Sequence, residues 1–210
     1  MYSGELVGYD PGGDDTHGIA VLRVSEGTAV SMDTVTVSTA DEVISRISSM
    51  PELLALGIDT LTCWSTGRCG WRPADRWLRS KYPIAVKSVV SPNGLYGSMG
   101  LNGMAVLIAT RARHPVARIT ETHPKVLYCQ LAGHKYNWAD NSDEMTESLR
   151  EWLSCPIQPN NDHEWDAALS AYAALEGLTG RWGTDLHQLP VGPGERLIRP
   201  ADKTHYYWPS

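Results

Sequence analysis

Phenylalanine is absent from this chain, and the aromatic bulk comes instead from eight Trp and nine Tyr. No physical reason for that bias is legible in the sequence. Cysteine is scarce: Cys63, Cys69, Cys129 and Cys155 show no CxxC pairing. Zinc modules are thereby excluded, and buried free thiols are expected. No apolar run approaches the ~20 residues of a membrane span, so no membrane-spanning segment is expected. The N-terminal MYSGELVG lacks the basic and apolar regions of a signal peptide, and a cytoplasmic location is expected. Neither GxxxxGK[ST] nor GxGxxG occurs, which removes the P-loop and dinucleotide-fold readings. Ser65 has no nucleophile-elbow context, and His17 and Cys63 have no persuasive partners, so each is read as structural.

Positive charge is also short, with 18 Lys and Arg against 24 Asp and Glu. A net charge of −6 argues against indiscriminate duplex binding by the whole molecule. The distribution is uneven, however. Leu61 to Arg118 carries a charge of +8, including Arg68, Arg72 and Arg76, with Asp75 as its one acid. Two readings stand for this segment: a basic face for nucleic acid, or solvated polar helix surfaces.

What is present is a pattern of elements. Apolar segments at 5–9, 18–24 and 29–37 open the chain, the last two joined by Ser-Glu-Gly-Thr, a hairpin signal. A helix capped by Ser38 or Thr39 follows, and LLALGID over 53–59 reads as a buried strand. Residues 62–73 read as a loop before a helix that begins at Pro73, and 88–103 as a Gly-rich irregular segment. MAVLIATRAR returns to helix, ARITETHP gives a short strand, and two helices follow over NSDEMTESLREWL and DHEWDAALSAYAALEGL. The order β-β-β-α-β-α-α-β-α-α predicts an α/β fold with a mixed five-stranded sheet, its first three strands antiparallel and the later ones parallel. One domain over 1–182 is expected, with 183–210 as an extended Pro- and aromatic-rich tail lying on or extending from it.

Asp10, Asp59 and Glu121 each stand at or near the carboxyl end of a different expected strand. Asp is a poor strand residue. At Asp10 two explanations compete: hairpin punctuation before Pro-Gly-Gly, or a residue held for chemistry. In open α/β sheets, ligands bind beyond the carboxyl ends of parallel strands, so these carboxylates would converge. On the last helix, His163 and Asp166 lie three apart and share a face. Asp162, at the helix start, reads either as cap or as ligand. Two carboxylates ~4 Å apart repel by roughly 4 kcal/mol at an effective dielectric near 20. Such a cluster calls for protonation or a divalent cation, and oxygen donors select Mg2+ or Mn2+.

LVGYDPGGDDTHGIAVL resembles the first motif of RuvC-type Holliday-junction resolvases, with Asp10 at the metal-binding aspartate, and HEWDAALSAYAAL resembles their last motif, matched by His163 and Asp166. Together these imply a ribonuclease H-like fold. WRPADRWLR, SPNGLYGSMGLNGM, ITETHPKVLYCQLAG and the DAALSAYAAL helix are similar to successive motifs of the family catalogued as domain of unknown function 429, a predicted nuclease family of that fold. The resemblance places family acids on Asp10, Asp59, Glu121 and Asp166, and polar motif residues on Arg72, Asp75, His123 and Pro124. The chain departs from RuvC-type resolvases in carrying Asp59 where they have a glutamate, and in being acidic overall.

A divalent-metal nuclease or phosphodiesterase is the leading expectation. Asp10, Asp59, Glu121 and Asp166 would hold the ions by a two-metal mechanism, and His163 would orient water or ligand. Arg72, Arg68, Arg76 and His123 would contact a single-stranded or structured nucleic acid. Two alternatives stand beside it. One is a catalytically silent binding module that works through a protein partner or a second copy, with the aromatic tail as its contact. The other is a phosphotransferase, which normally needs two such domains.

Overall fold

The computed structural model describes residues 1–210 except Tyr96, which falls in the expected irregular segment and lies outside the described residues. The chain runs β1 (Gly4–Asp10), β2 (His17–Ser25), β3 (Thr28–Val37), α1 (Ala40–Ser49), β4 (Ala55–Ile58), β5 (Trp64–Ser65), α2 (Pro73–Lys81) and α3 (Gly97–Arg113). It continues with β6 (Arg118–Glu121), α4 (Pro124–Ala132), α5 (Trp138–Leu153), α6 (Asp162–Thr179), β7 (Thr184–Asp185), β8 (Leu197–Ile198) and β9 (Tyr207–Trp208). The main sheet is mixed, in the order β3-β2-β1-β4-β6. β1 pairs antiparallel with β2 and parallel with β4, and β4 pairs parallel with β6.

Period-two alternation sorts the strand side chains onto two faces. Val7, Tyr9, Ile19, Leu56, Ile58 and Ile119 pack on one side with α1 and α3 residues such as Val43, Ile47 and Val106. Leu6, Ala20, Leu22 and Ala55 face the other side, where α6 brings Trp165, Ala168 and Leu169. The Thr39 hydroxyl accepts from the Glu42 amide and caps α1, as its sequence predicts.

Three glycines bring α6 down onto the sheet. Gly18, Gly8 and Gly57 sit on adjacent strands β2, β1 and β4, and the helix backbone lies where their side chains would be. A Cβ on Gly8 would fall 1.8 Å from the Ala167 carbonyl oxygen, on Gly57 1.9 Å from that of Ser170, and on Gly18 2.0 Å from that of His163. Glycine is required at these positions for close approach, not for its dihedral freedom.

Several elements depart from expectation. α4 was not foreseen as a separate helix, although Pro124 opens it and Gly133, at φ 77°, closes it in left-handed geometry. α3 starts at Gly97, not at Met104, so the second half of the Gly-rich segment is helical. Gly103 lets it pass against Thr60 at the end of β4. Cys69 is exposed, although the other three thiols are buried and all four are free. The tail is built into the body: β7 pairs with β9, β8 with β5, and His205 bridges in parallel to Thr120 beside β6. Trp208 and Tyr206 are fully buried. Among the described residues, no helix is long and apolar enough to cross a membrane.

Candidate metal centre

Parallel pairing of β1 with β4 brings two strand ends together. Tyr9 is in register with Ile58, and the Asp59 amide donates to the Tyr9 carbonyl at 3.0 Å, so Asp10 and Asp59 leave the same edge side by side. The descent of α6 onto the glycines adds Asp166 from above. One oxygen of each of Asp10, Asp59 and Asp166 lies within 4.8 Å of the others. Asp10 and Asp166 are buried and Asp59 is partly exposed.

Burial pushes the Asp10 carboxyl above its ordinary pKa, against the opposing pull of the His163 hydrogen bond. Burial and then the Asp10 charge raise Asp59 well above the carboxylate range. Burial, with Asp10 and Asp59 adding to it, does the same for Asp166. The Oδ1 of Asp166 is buried and makes no well-formed hydrogen bond, and neither does the Tyr136 hydroxyl, which is near enough to lower the Asp166 pKa. A buried, repelling, all-oxygen donor set with an orphaned oxygen fits a hard divalent cation.

His163 Nδ1 lies 2.7 Å from Asp10 Oδ2, and that bond raises the imidazole pKa. It is engaged with a carboxylate, the geometry of a group that orients a ligand. The cap of α6 is Asn161, whose side chain accepts from the Glu164 amide. Asp162 is therefore not the cap.

Glu121 departs from its expected place. In the β4–β6 register it stands level with Ile58, not with Asp59, and is one residue out of phase with the aspartates. The in-phase position is Thr122, whose hydroxyl bonds that of Ser170 on α6 at 2.7 Å. The Glu121 carboxylate is instead gripped by Arg72, with Nη1 2.7 Å from Oε2 and Nη2 2.6 Å from Oε1. Thr62 donates to it through both backbone amide and hydroxyl, and His187 Nε2 stands 3.4 Å away. Burial works to raise this carboxyl, but Arg72 and His187 outweigh it and hold it far below the ordinary range. Glu121 is thus an anchor paired with Arg72, outside the group of three.

The arginines expected to contact phosphate are engaged by other partners or exposed. Arg72 is 2% exposed and forks between Glu121 and Asp75, which also accepts from the Arg72 backbone amide at 2.9 Å. Arg76 is paired with Glu195 on the surface. Arg68 is exposed, in the turn before α2. The segment 61–118 does not present its cations together: Arg79 donates to carbonyls of Val86 and Val89, and Arg111 to those of Ala117, Ala201 and Lys203.

Lys125, which the charge count did not single out, is a cation whose charge acts on all three aspartates. Its field lowers the pKa of Asp10, Asp59 and Asp166 alike, and its ammonium lies 5.6 Å from the Tyr136 ring centre. Its one signal in the sequence is its place just after Glu121-Thr-His-Pro. His123 donates from Nε2 to the Ser88 carbonyl at 3.0 Å, and burial lowers its pKa. His123 and Lys125 both line a cavity of about 350 Å3 that Asp59 borders. Two larger hollows, of about 690 and 470 Å3, lie elsewhere and contain none of the three aspartates.

No family model and no curated protein matches the sequence, so the likeness to domain of unknown function 429 rests on the sequence motifs alone. Solved structures are similar to the chain, among them these two. Thermus thermophilus RuvC aligns over 86% of this chain and 98% of its own, at 20% identity and a TM-score of 0.46. T. thermophilus RuvC in complex with Holliday junction substrate aligns over 86% of this chain and 96% of its own, at 17% identity and a TM-score of 0.51. With strand order β3-β2-β1-β4-β6 and α6 crossing the sheet, the second likeness gives the fold: this chain has a ribonuclease H-like architecture.

Proposed function

We propose that the protein is a divalent-metal-dependent nuclease or phosphodiesterase acting on nucleic acid. The observation that carries this reading is the gathering of Asp10, Asp59 and Asp166, two buried carboxylates and a partly exposed one within one ion's reach, with an Asp166 oxygen left without a hydrogen bond. Asp10, Asp59 and Asp166 would hold Mg2+ or Mn2+. Bound ions would supply an activated water and stabilise the leaving oxygen of a phosphodiester. His163 fixes the Asp10 carboxylate through Nδ1 and so orients a ligand oxygen. Lys125 offers an ammonium to the substrate phosphate. Glu121 and Arg72 hold the floor of the site without touching the reacting atoms. That a solved structure similar to this one contains a Holliday junction is consistent with a nucleic-acid substrate. The aromatic tail, packed into the body, no longer favours a silent module that binds partners through a free tail.

The test is cleavage of single-stranded and structured DNA and RNA with Mg2+ or Mn2+, by the native protein and by Asp10→Asn and Asp166→Asn. Loss of at least about a hundredfold in each variant is expected, the scale of removing one electrostatic contact from a transition state. Cleavage at native rates in both would refute the assignment. The raised carboxyl pKa values predict that cation binding expels protons and weakens as pH falls.

A further inference from the structure

The cavity of about 350 Å3 beside Asp59 is a candidate for more than solvent. It lies at the small end of ligand sites, which run from about 300 to 1,000 Å3. A base inside a duplex has its edge paired and both faces stacked, so it enters such a pocket only after leaving the stack. Val89, Pro92, Leu95 and Met99 supply an apolar wall. The lining also includes His123, whose chemistry is specific. The Ser88 carbonyl only accepts, so His123 carries its proton on Nε2, and Nδ1 keeps a bare lone pair. That Nδ1 is buried and has no hydrogen-bond partner. It is closed off from solvent, so a ligand meets it only if the lining gives way; a base amino group would then satisfy it, whereas a phosphate or carboxylate would set lone pair against lone pair. Lys87 and Lys125 are exposed on the cavity's lining, and neither forms an ion pair among the described residues. The Arg72 guanidinium also borders the cavity, but its donors are already occupied by Glu121, Asp75 and the Cys63 carbonyl.

We infer that this cavity receives one unpaired nucleotide, its base against the Val89–Leu95 wall and its phosphate toward Lys125 and the three aspartates. The inference rests on the phosphodiesterase reading and narrows its substrate to nucleic acid with an unpaired base beside the scissile bond, or to a free nucleotide.

Calorimetric titration of the full chain in Mg2+ tests it, with cytidine or adenosine 5′-monophosphate set against ribose 5-phosphate. The nucleotides should bind about tenfold tighter or more, a difference of ~1.4 kcal/mol. Leu95→Trp or Val90→Trp, which fill the cavity from partly and largely exposed positions, should remove that advantage and leave Mg2+ affinity unchanged. Equal binding of nucleotide and ribose 5-phosphate would overturn the inference, as would an advantage that both filled variants retain. A single-stranded tetranucleotide separates the two sources: tighter binding than the monomer identifies a strand, and equal binding a free nucleotide. Absence of Mg2+ binding with nucleotide selectivity intact would strike the metal reading and leave the pocket standing.

Discussion

Arg72 shows how far a residue's role depends on what surrounds it. In the sequence it is one cation in a positive segment. In the fold its guanidinium is clamped between Asp75 and Glu121, both nearly as buried as itself. Breaking a buried pair by removing one partner strands the other charge, at a cost of about 3–5 kcal/mol. Arg72→Met should therefore lower unfolding stability by roughly that amount, measured by denaturant titration. Adding Glu121→Gln to it should recover part of the loss. A phosphate-contacting Arg72 would behave differently, with native stability and only weakened substrate binding. Asp10, Asp59 and Asp166 carry the opposite electrostatics, since no fixed cation of the chain pairs with Asp59 or Asp166 among the described residues. Their raised pKa values record charges the fold alone does not neutralise.

At the scale of elements, the site is set by how closely α6 meets the sheet. His163, Ala167 and Ser170 follow one another at about one helical turn, and each lays its carbonyl over a glycine of a neighbouring strand. Asp166 rides on that helix. Gly8→Ala places a methyl 1.8 Å from the Ala167 oxygen, a backbone atom with no rotamer in which to escape. The helix must lift. Overpacking of this kind costs about 1–3 kcal/mol. The expected outcome is that stability loss together with weaker Mg2+ or Mn2+ binding, because Asp166 moves away from Asp10. Calorimetry finding metal affinity unchanged in a destabilised Gly8→Ala protein would show that helix height does not set the centre. The aspartates and the last helix were legible in the sequence, because strand-end acids and an i, i+3 His–Asp pair leave a local pattern. The exclusion of Glu121 was not. It follows from a single residue of register between β4 and β6, which no local signal records.

For the whole molecule, the tail completes the buried network around Glu121. Residues 183–210 bring His187 to Glu121 and Cys63, and Thr204 to Thr62. The tail also runs along the outer side of β6, where His205 exchanges backbone hydrogen bonds with Ile119 and Glu121. His187 Nδ1 faces the Thr204 carbonyl and Nε2 faces the Glu121 carboxylate. Both are acceptors, so the imidazolium is the form that satisfies both. Burial opposes the charge, but the Cys63 and Glu121 contacts outweigh it and raise the pKa to about 10. A group raised in this way adds stability that is fully present below its unfolded value of ~6.5. That contribution is lost as pH climbs through about 10. Thermal melts of the native protein should therefore decline over that window, and His187→Gln should be flatter across it. Parallel pH profiles for the two would remove His187 from the network.

The sequence by itself determined the main strands and most helices, the mixed α/β class and the presence of acids at strand ends, because these follow from short-range periodicity, turn chemistry and residue type. The tertiary structure alone decided which acids share an ion's reach, that Arg72 serves Glu121, and that the tail is part of the body. Those outcomes depend on strand register and on contacts between residues far apart in the chain, 49 positions for Arg72 with Glu121 and 153 for His163 with Asp10. No local pattern encodes them.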